Sequence, residues 1–172
     1  MKILLCWLLL AMLLPVGQST TESTQAFRTI EILKRENGYG NFESIAFMSG
    51  EDLESFLKKV ALQPGWNHKG EFVDALISAH VDFGKEALVV LRHTEGSGSV
   101  KVAFEAPVLK DKKLLCQIVG TPIPPGYGGT GDMAYYCMAV VVSRAQVSQV
   151  EFQATRGGFK AQRLAPIIFQ IK

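Results

Sequence analysis

The chain has 172 residues, with 18 lysines and arginines against 16 aspartates and glutamates, and 48% of its residues are hydrophobic. This length fits one domain, and the composition is too apolar for a disordered chain and too poor in cysteine for a disulfide-rich miniprotein. A net charge of +2 does not provide the clustered basic surface that nucleic acid requires, so we expect no nucleic-acid partner.

The N-terminal segment has the layout of a secretory signal peptide. Lys2 precedes the apolar run 3–14, Pro15 ends that run, and small residues lead to a cleavage site after Ser19. The run would form about 18 Å of helix, which is short of the roughly 30 Å hydrocarbon core of a bilayer. We therefore expect residues 1–19 to be removed and the mature chain to be secreted or periplasmic, with no membrane attachment.

The first part of the mature chain contains the predicted helices. Residues 27–34 and 41–48 predict two short strands. Ser49 is a typical helix cap, and apolar residues recur at helical spacing over 53–61. A second short helix is predicted over 70–79.

From residue 84 the pattern becomes that of strands. Residues 87–92 are almost all apolar, which is typical of a strand buried on both faces. Residues 100–108 alternate between apolar and other side chains, which predicts a strand with one buried face. Further strands are predicted over 114–119, 134–143, 147–154 and 164–171, the last two as a final hairpin.

This order of elements predicts a single α+β domain over 20–172. Its part 27–83 contains one or two helices, and its part 84–172 is β-rich. Because the strands follow one another without alternating helices, we expect a mostly antiparallel β-sheet, either a sandwich or a partly closed barrel.

The mature chain has two cysteines, Cys116 and Cys137. If strands 114–119 and 134–143 form an antiparallel hairpin, the two cysteines are equidistant from the centre of its loop and lie opposite each other. Opposed residues in such a pair come within the range of a disulfide, and an exported protein meets an oxidising environment. We therefore predict a Cys116–Cys137 disulfide; the alternative is two buried free thiols.

Two loops are candidates for binding. The connection 120–132 exceeds the usual hairpin loop of about two to five residues, and long loops on rigid strands often carry function. Its glycines match a dinucleotide-binding pattern, but a strand-like sequence follows where a helix is required, so we expect turn glycines and no cofactor. From this connection and the turn 94–99, we single out Gly96, Ser97, Gly98, Pro124, Pro125, Gly126, Tyr127 and Gly128.

Catalytic motifs are missing from the mature sequence. It contains no Gly-x-Ser-x-Gly elbow, His-Glu-x-x-His motif or Cys-x-x-Cys pair, so we do not expect an enzyme. The alternative is a small secreted hydrolase with a site built from His93 and Asp132. Ligands from His80, Asp82 and His93 would have no recognised metal-site spacing, so no metal is expected.

Several short motifs within residues 66–152 occur together in a known kind of domain. They are Val81-Asp82-Phe83 before the apolar strand 87–92, the glycine turn Gly96-Ser97-Gly98-Ser99, the alternating strand 100–108 and the proline loop 122–125. In these features the stretch resembles the small domain of the PrcB type, named for an accessory protein of a bacterial surface protease. Members of that family more often have a Thr-Gly-Gly-Tyr-like turn where this chain has its glycine turn.

The resemblance implies a non-catalytic exported module that associates with another extracytoplasmic protein, such as a protease. Besides the hydrolase, a carrier of a small apolar ligand is a further alternative, because a closed β-barrel can enclose such a molecule.

Overall fold

A computed structural model of the protein describes residues 25–96, 100–122, 133–156 and 162–172. The predicted signal peptide 1–19, with its cleavage site after Ser19, lies outside these ranges. So do most of the candidate binding residues, namely Ser97, Gly98, Pro124, Pro125, Gly126, Tyr127 and Gly128. Gly96, Cys116 and Cys137 are described.

The two predicted helices are confirmed. Helix α1 spans Gly50–Ala61, and the hydroxyl of Ser49 accepts a hydrogen bond from the backbone N–H of Asp52 at 3.2 Å. That bond satisfies one of the free N–H groups of the first turn, as expected for a cap. Helix α2 spans Lys69–Ser78, and a 3-10 helix spans Asn37–Asn41. Neither helix of the described residues is long and apolar enough to cross a bilayer.

The strands are β1 Phe27–Ile30, β2 Ile45–Phe47, β3 Glu86–Glu95, β4 Val100–Phe104, β5 Val108–Lys110, β6 Lys113–Pro122, β7 Ala134–Ser143, β8 Gln149–Arg156, β9 Gln162–Arg163 and β10 Ile167–Gln170. They form two sheets. The inner sheet has the order β1-β7-β3-β2, and the outer sheet has the order β10-β8-β6-β4, with β5 paired to β6 and β9 to β8. All of these pairs are antiparallel except β6 with β8.

The inner sheet is buried on both faces. On β3, Val89 and Leu91 pack toward the outer sheet, whereas Leu88 and Val90 pack toward the helices, and all four are 0% exposed. The prediction of a strand buried on both faces over 87–92 is therefore confirmed. The helices cover one side of this sheet, and the outer sheet covers the other.

The α+β fold class is confirmed. The sheets are mostly antiparallel, the helices lie in the N-terminal half, and the strands do not close into a barrel. The alternating strand 100–108 is divided in two, because Pro107 separates β4 from β5 and has no N–H to donate to a neighbouring strand.

The predicted hairpin of 114–119 with 134–143 is wrong, and with it the disulfide. Strand β6 pairs with β4, β5 and β8 in the outer sheet, whereas β7 pairs with β1 and β3 in the inner sheet. Cys116 packs between the two sheets, Cys137 packs between the inner sheet and the helices, and both are free thiols. The physical reason is that β7 is apolar at nearly every position and needs cover on both faces, which only the inner sheet provides.

Both thiols are expected to resist alkylation in the folded protein. Burial raises the pKa of Cys116 to about 12. Burial also raises the pKa of Cys137, although the charge of Arg92 acts in the opposite direction. Because the thiolate is the reactive form, iodoacetamide at pH 8 should leave both unmodified.

The test uses the chain that begins at Thr20. In denaturant without reductant, both cysteines should be alkylated, and intact-mass analysis should show two adducts. A denatured chain that reacts only after reduction would mean that the cysteines are bonded.

Candidate functional site

The strand ends that flank the predicted binding loops meet at one end of the sheets. Glu95 at the end of β3 is paired with Ala134 at the start of β7, and Val100 at the start of β4 is paired with Pro122 at the end of β6. Gly96 follows β3, is exposed, and donates its N–H to Oε1 of Glu95 at 3.2 Å. This candidate residue therefore lies directly after β3, at the end of the inner sheet where β7 begins.

Among the described residues, one edge of β3 has no partner strand near this end. Strand β2 pairs with β3 only from Phe47↔Leu88 to Ile45↔Val90, but β3 continues to Glu95. The next residue upstream of β2, Ser44, contacts β3 through its side chain: its Oγ accepts from the N–H of Arg92 at 2.9 Å and lies 3.3 Å from the carbonyl oxygen of Arg92. Beyond Ser44, β3 has no neighbouring strand on this side among the described residues.

The backbone of Thr94 points to this open edge. In an antiparallel pair, residues alternate in directing their N–H and C=O groups to one side or the other. Arg92 is opposite Cys137, whose N–H donates to the carbonyl of Lys34 on the far side of β7, so Arg92 directs its own backbone groups away from β7. Thr94, two residues later, has the same orientation. Within the described ranges no backbone group pairs with it there.

A cavity of about 240 Å³ opens beside this edge, between the two sheets. Its apolar wall comes mainly from β8 and from the segment before β10, and its polar rim comes from β3 and Glu43. The lining residues are Phe152, Ala154, Leu164, Ala165 and Ile167 on the apolar wall, with Glu43, Arg92, His93 and Thr94 on the rim. We call the backbone edge at Thr94 and this cavity together the edge groove.

The charge at the rim is internally compensated. Nη1 of Arg92 lies 2.6 Å from Oε1 of Glu43, and Nη2 of Arg92 donates to Oγ1 of Thr94 at 2.7 Å. The guanidinium carbon of Arg92 also lies 5.7 Å from the ring centroid of Tyr135. Arg92 is 13% exposed and Glu43 is 88% exposed, so the arginine is held in place while its partner carboxylate faces solvent.

A buried imidazole and carboxylate lie beside the groove. Nε2 of His93 is 3.5 Å from Oε2 of Glu95, and each side chain is 2% exposed. Both continue the face of β3 that packs toward the outer sheet, where Tyr136 lies with its ring centroid 6.4 Å from that of His93. A hydrolytic role for His93 would require this enclosure to open. Asp132, its partner in the hydrolase alternative, lies outside the described residues.

A larger cavity, of about 600 Å³, lies at the opposite edge of the molecule. It is bounded by the residues that follow β1, by the connection from β4 to β5, and by the backbone of β7 near Met138. Its volume falls within the range of about 300–1,000 Å³ that is usual for small-molecule sites. Lys34 and Glu31 lie on its rim, and Nζ of Lys34 is 5.7 Å from the ring centroid of Phe104.

Gly96, a residue singled out in the sequence, lies next to this site, whereas Thr94, Arg92 and Ile167 were not among the predicted binding residues. One signal was available: the apolar run of β3 gives way to Arg92-His93-Thr94-Glu95 while the strand continues. Polar residues at the end of an otherwise apolar strand indicate that the strand is no longer covered by apolar side chains on both faces there. Where β2 stops pairing could not be seen in the sequence.

Across the part of the chain that the structure describes, no group of three histidine, cysteine, aspartate or glutamate side chains lies close enough to hold a metal ion. No protein-family model, curated protein or solved structure matches this chain.

Proposed function

We propose that the protein is an exported, non-catalytic binding module that holds an extended segment of another extracytoplasmic protein along the edge groove. The observation that carries the proposal is the open edge of β3 at Thr94. A free strand edge offers N–H and C=O groups in the spacing that another extended backbone matches, and addition of a strand is a recurrent mode of peptide recognition.

Two features of the described residues support this use of the edge. Folded proteins usually cover or charge an open strand edge to avoid unwanted pairing. Here Arg92 and Glu43 beside the edge compensate each other, and the edge adjoins a cavity with an apolar wall. Ile167 on that wall is 41% exposed, so an apolar group remains available for a partner. The resemblance to the PrcB type makes a protease one candidate for that partner.

The proposal is tested by blocking the edge without disturbing the sheet. Thr94→Pro removes an N–H that points away from β7, so the pairing of β3 with β7 keeps its hydrogen bonds. It also removes the hydroxyl that accepts from Nη2 of Arg92, while Arg92 keeps its ion pair with Glu43. The matched control is Gln170→Pro on β10: because Ile171 donates its N–H to Ser148 beside β8, Gln170 directs its own N–H to the outside. We expect T94P to lose its partner and Q170P to retain it.

The measurement is capture from the extracytoplasmic fraction of the producing organism, with each variant first checked for folding by thermal unfolding. A photoreactive residue at position 167 should attach the same partner, whereas one at Leu62, which is 85% exposed on the helical side, should not. Equal recovery by the wild type and a folded T94P variant would show that the edge does not bind the partner.

A further inference from the structure

The cavity of the edge groove has the scale of a single side chain. Its volume of about 240 Å³ is below the range of about 300–1,000 Å³ that is usual for a whole small-molecule ligand. It exceeds the roughly 150 Å³ of an apolar protein cavity that accommodates benzene. One leucine-sized or phenyl-sized group therefore fits into it.

The register of an added strand brings one side chain to this cavity. A partner residue that pairs with the backbone of Thr94 has its neighbour opposite His93. Residues opposite each other in a sheet project to the same face, and His93 projects toward the outer sheet. The partner residue opposite His93 therefore projects between the sheets, where Phe152, Ala154 and Leu164 form the wall.

The chemistry of the wall selects an apolar group. Burial of a charged side chain without a partner is costly. The nearest charges, Arg92 and Glu43, already pair with each other at 2.6 Å. Ile167, at the mouth of the cavity, is both part of its lining and 41% exposed, so an incoming apolar side chain would cover it.

We propose that the edge groove recognises one side chain of its bound segment, and that this side chain is large and apolar, as in leucine or phenylalanine. The inference rests on the proposed function, because the cavity can be reached in this way only by a strand that pairs at Thr94. It adds a sequence preference that the pairing of backbones does not supply.

The test uses fluorescein-labelled peptides of the form Lys-Thr-Thr-Thr-X-Thr-Thr-Thr-Lys, in which X is leucine, phenylalanine, alanine, aspartate or lysine. Binding is measured by fluorescence anisotropy. We expect the leucine and phenylalanine peptides to bind about tenfold or more tightly than the alanine peptide, since a large apolar side chain leaves water. The aspartate and lysine peptides should bind most weakly.

Ala165→Trp tests the cavity itself. Ala165 lines the cavity and is exposed, so an added ring can enter the cavity without replacing a core residue. A165W should abolish the preference for leucine and phenylalanine over alanine. The matched control is Ala145→Trp, at an exposed position in the turn after β7, which should keep the preference.

The outcomes separate this inference from the proposed function. If the peptides bind equally well whatever the central residue, the cavity does not recognise a side chain. The same follows if A165W keeps the preference for leucine and phenylalanine. Absence of binding by every peptide also overturns the inference. The proposed function is decided independently, by whether T94P loses the partner that Q170P captures.

Discussion

Gly38→Ala is expected to destabilise the protein by about 3 kcal/mol, at the upper end of the usual cost of overpacking a core. A Cβ at this position would lie 1.9, 2.2 and 2.4 Å from three ring atoms of Trp66. The indole cannot easily move, because Trp66 is 6% exposed and packs against Tyr39 and Phe72 with ring centroids 5.5 and 5.0 Å away.

Urea denaturation followed by tryptophan fluorescence measures this effect. The matched control is Gly70→Ala, in the first turn of α2, where an added Cβ meets nothing within 4 Å. Because alanine restricts the unfolded chain more than glycine does, the control should be neutral or more stable by up to about 1 kcal/mol. A G38A variant as stable as the wild type would mean that the indole does not lie against the 3-10 helix.

Leu88→Ala is expected to cost about 2–5 kcal/mol, which is the usual range for truncating a fully buried leucine. Leu88 is 0% exposed and lies in the core between the inner sheet and the helices. Its neighbours on β3 are held by β2 on one side and β7 on the other, so the space left by the missing atoms cannot close completely.

Leu62→Ala provides the comparison, because the same atoms are removed from a side chain that is 85% exposed. We expect a change within about 0.5 kcal/mol for this variant. Both values come from urea denaturation at one temperature. Similar values for the two variants would contradict the assignment of β3 to the centre of the inner sheet.

The sequence predicted the helices and strands of this fold better than it predicted which strands pair with each other. The cap at Ser49 and the double burial of 87–92 depend on residues close together in the chain, and both are confirmed. Strand pairing depends on residues that are far apart in the chain. Two cysteines at equal distance from the centre of a loop fit a hairpin, but that spacing does not show that the two strands belong to one sheet. The placement of Cys116 and Cys137 failed for that reason.

The structure shows a difference in burial between β6 and β7 that the sequence does not show, because Leu115 and Val119 of β6 are also apolar. In β6 the buried Leu114, Cys116 and Ile118 alternate with half-buried residues, whereas β7 is buried at nearly every position. A strand with one buried face and a strand with two belong to different layers. The edge groove was harder to foresee, since it results from the point at which β2 stops pairing with β3.

The position of β7 has a consequence for how the chain reaches its native state. Its partners β1 and β3 both precede it in the chain, and Phe27 of β1 is paired with Val142. The inner sheet therefore lacks one of its two central strands until most of the polypeptide has left the ribosome, and contacts of such long sequence separation form slowly. A chain whose inner sheet is completed this late stays unfolded for much of its synthesis, so the apolar faces of β3 remain uncovered until β7 pairs with it.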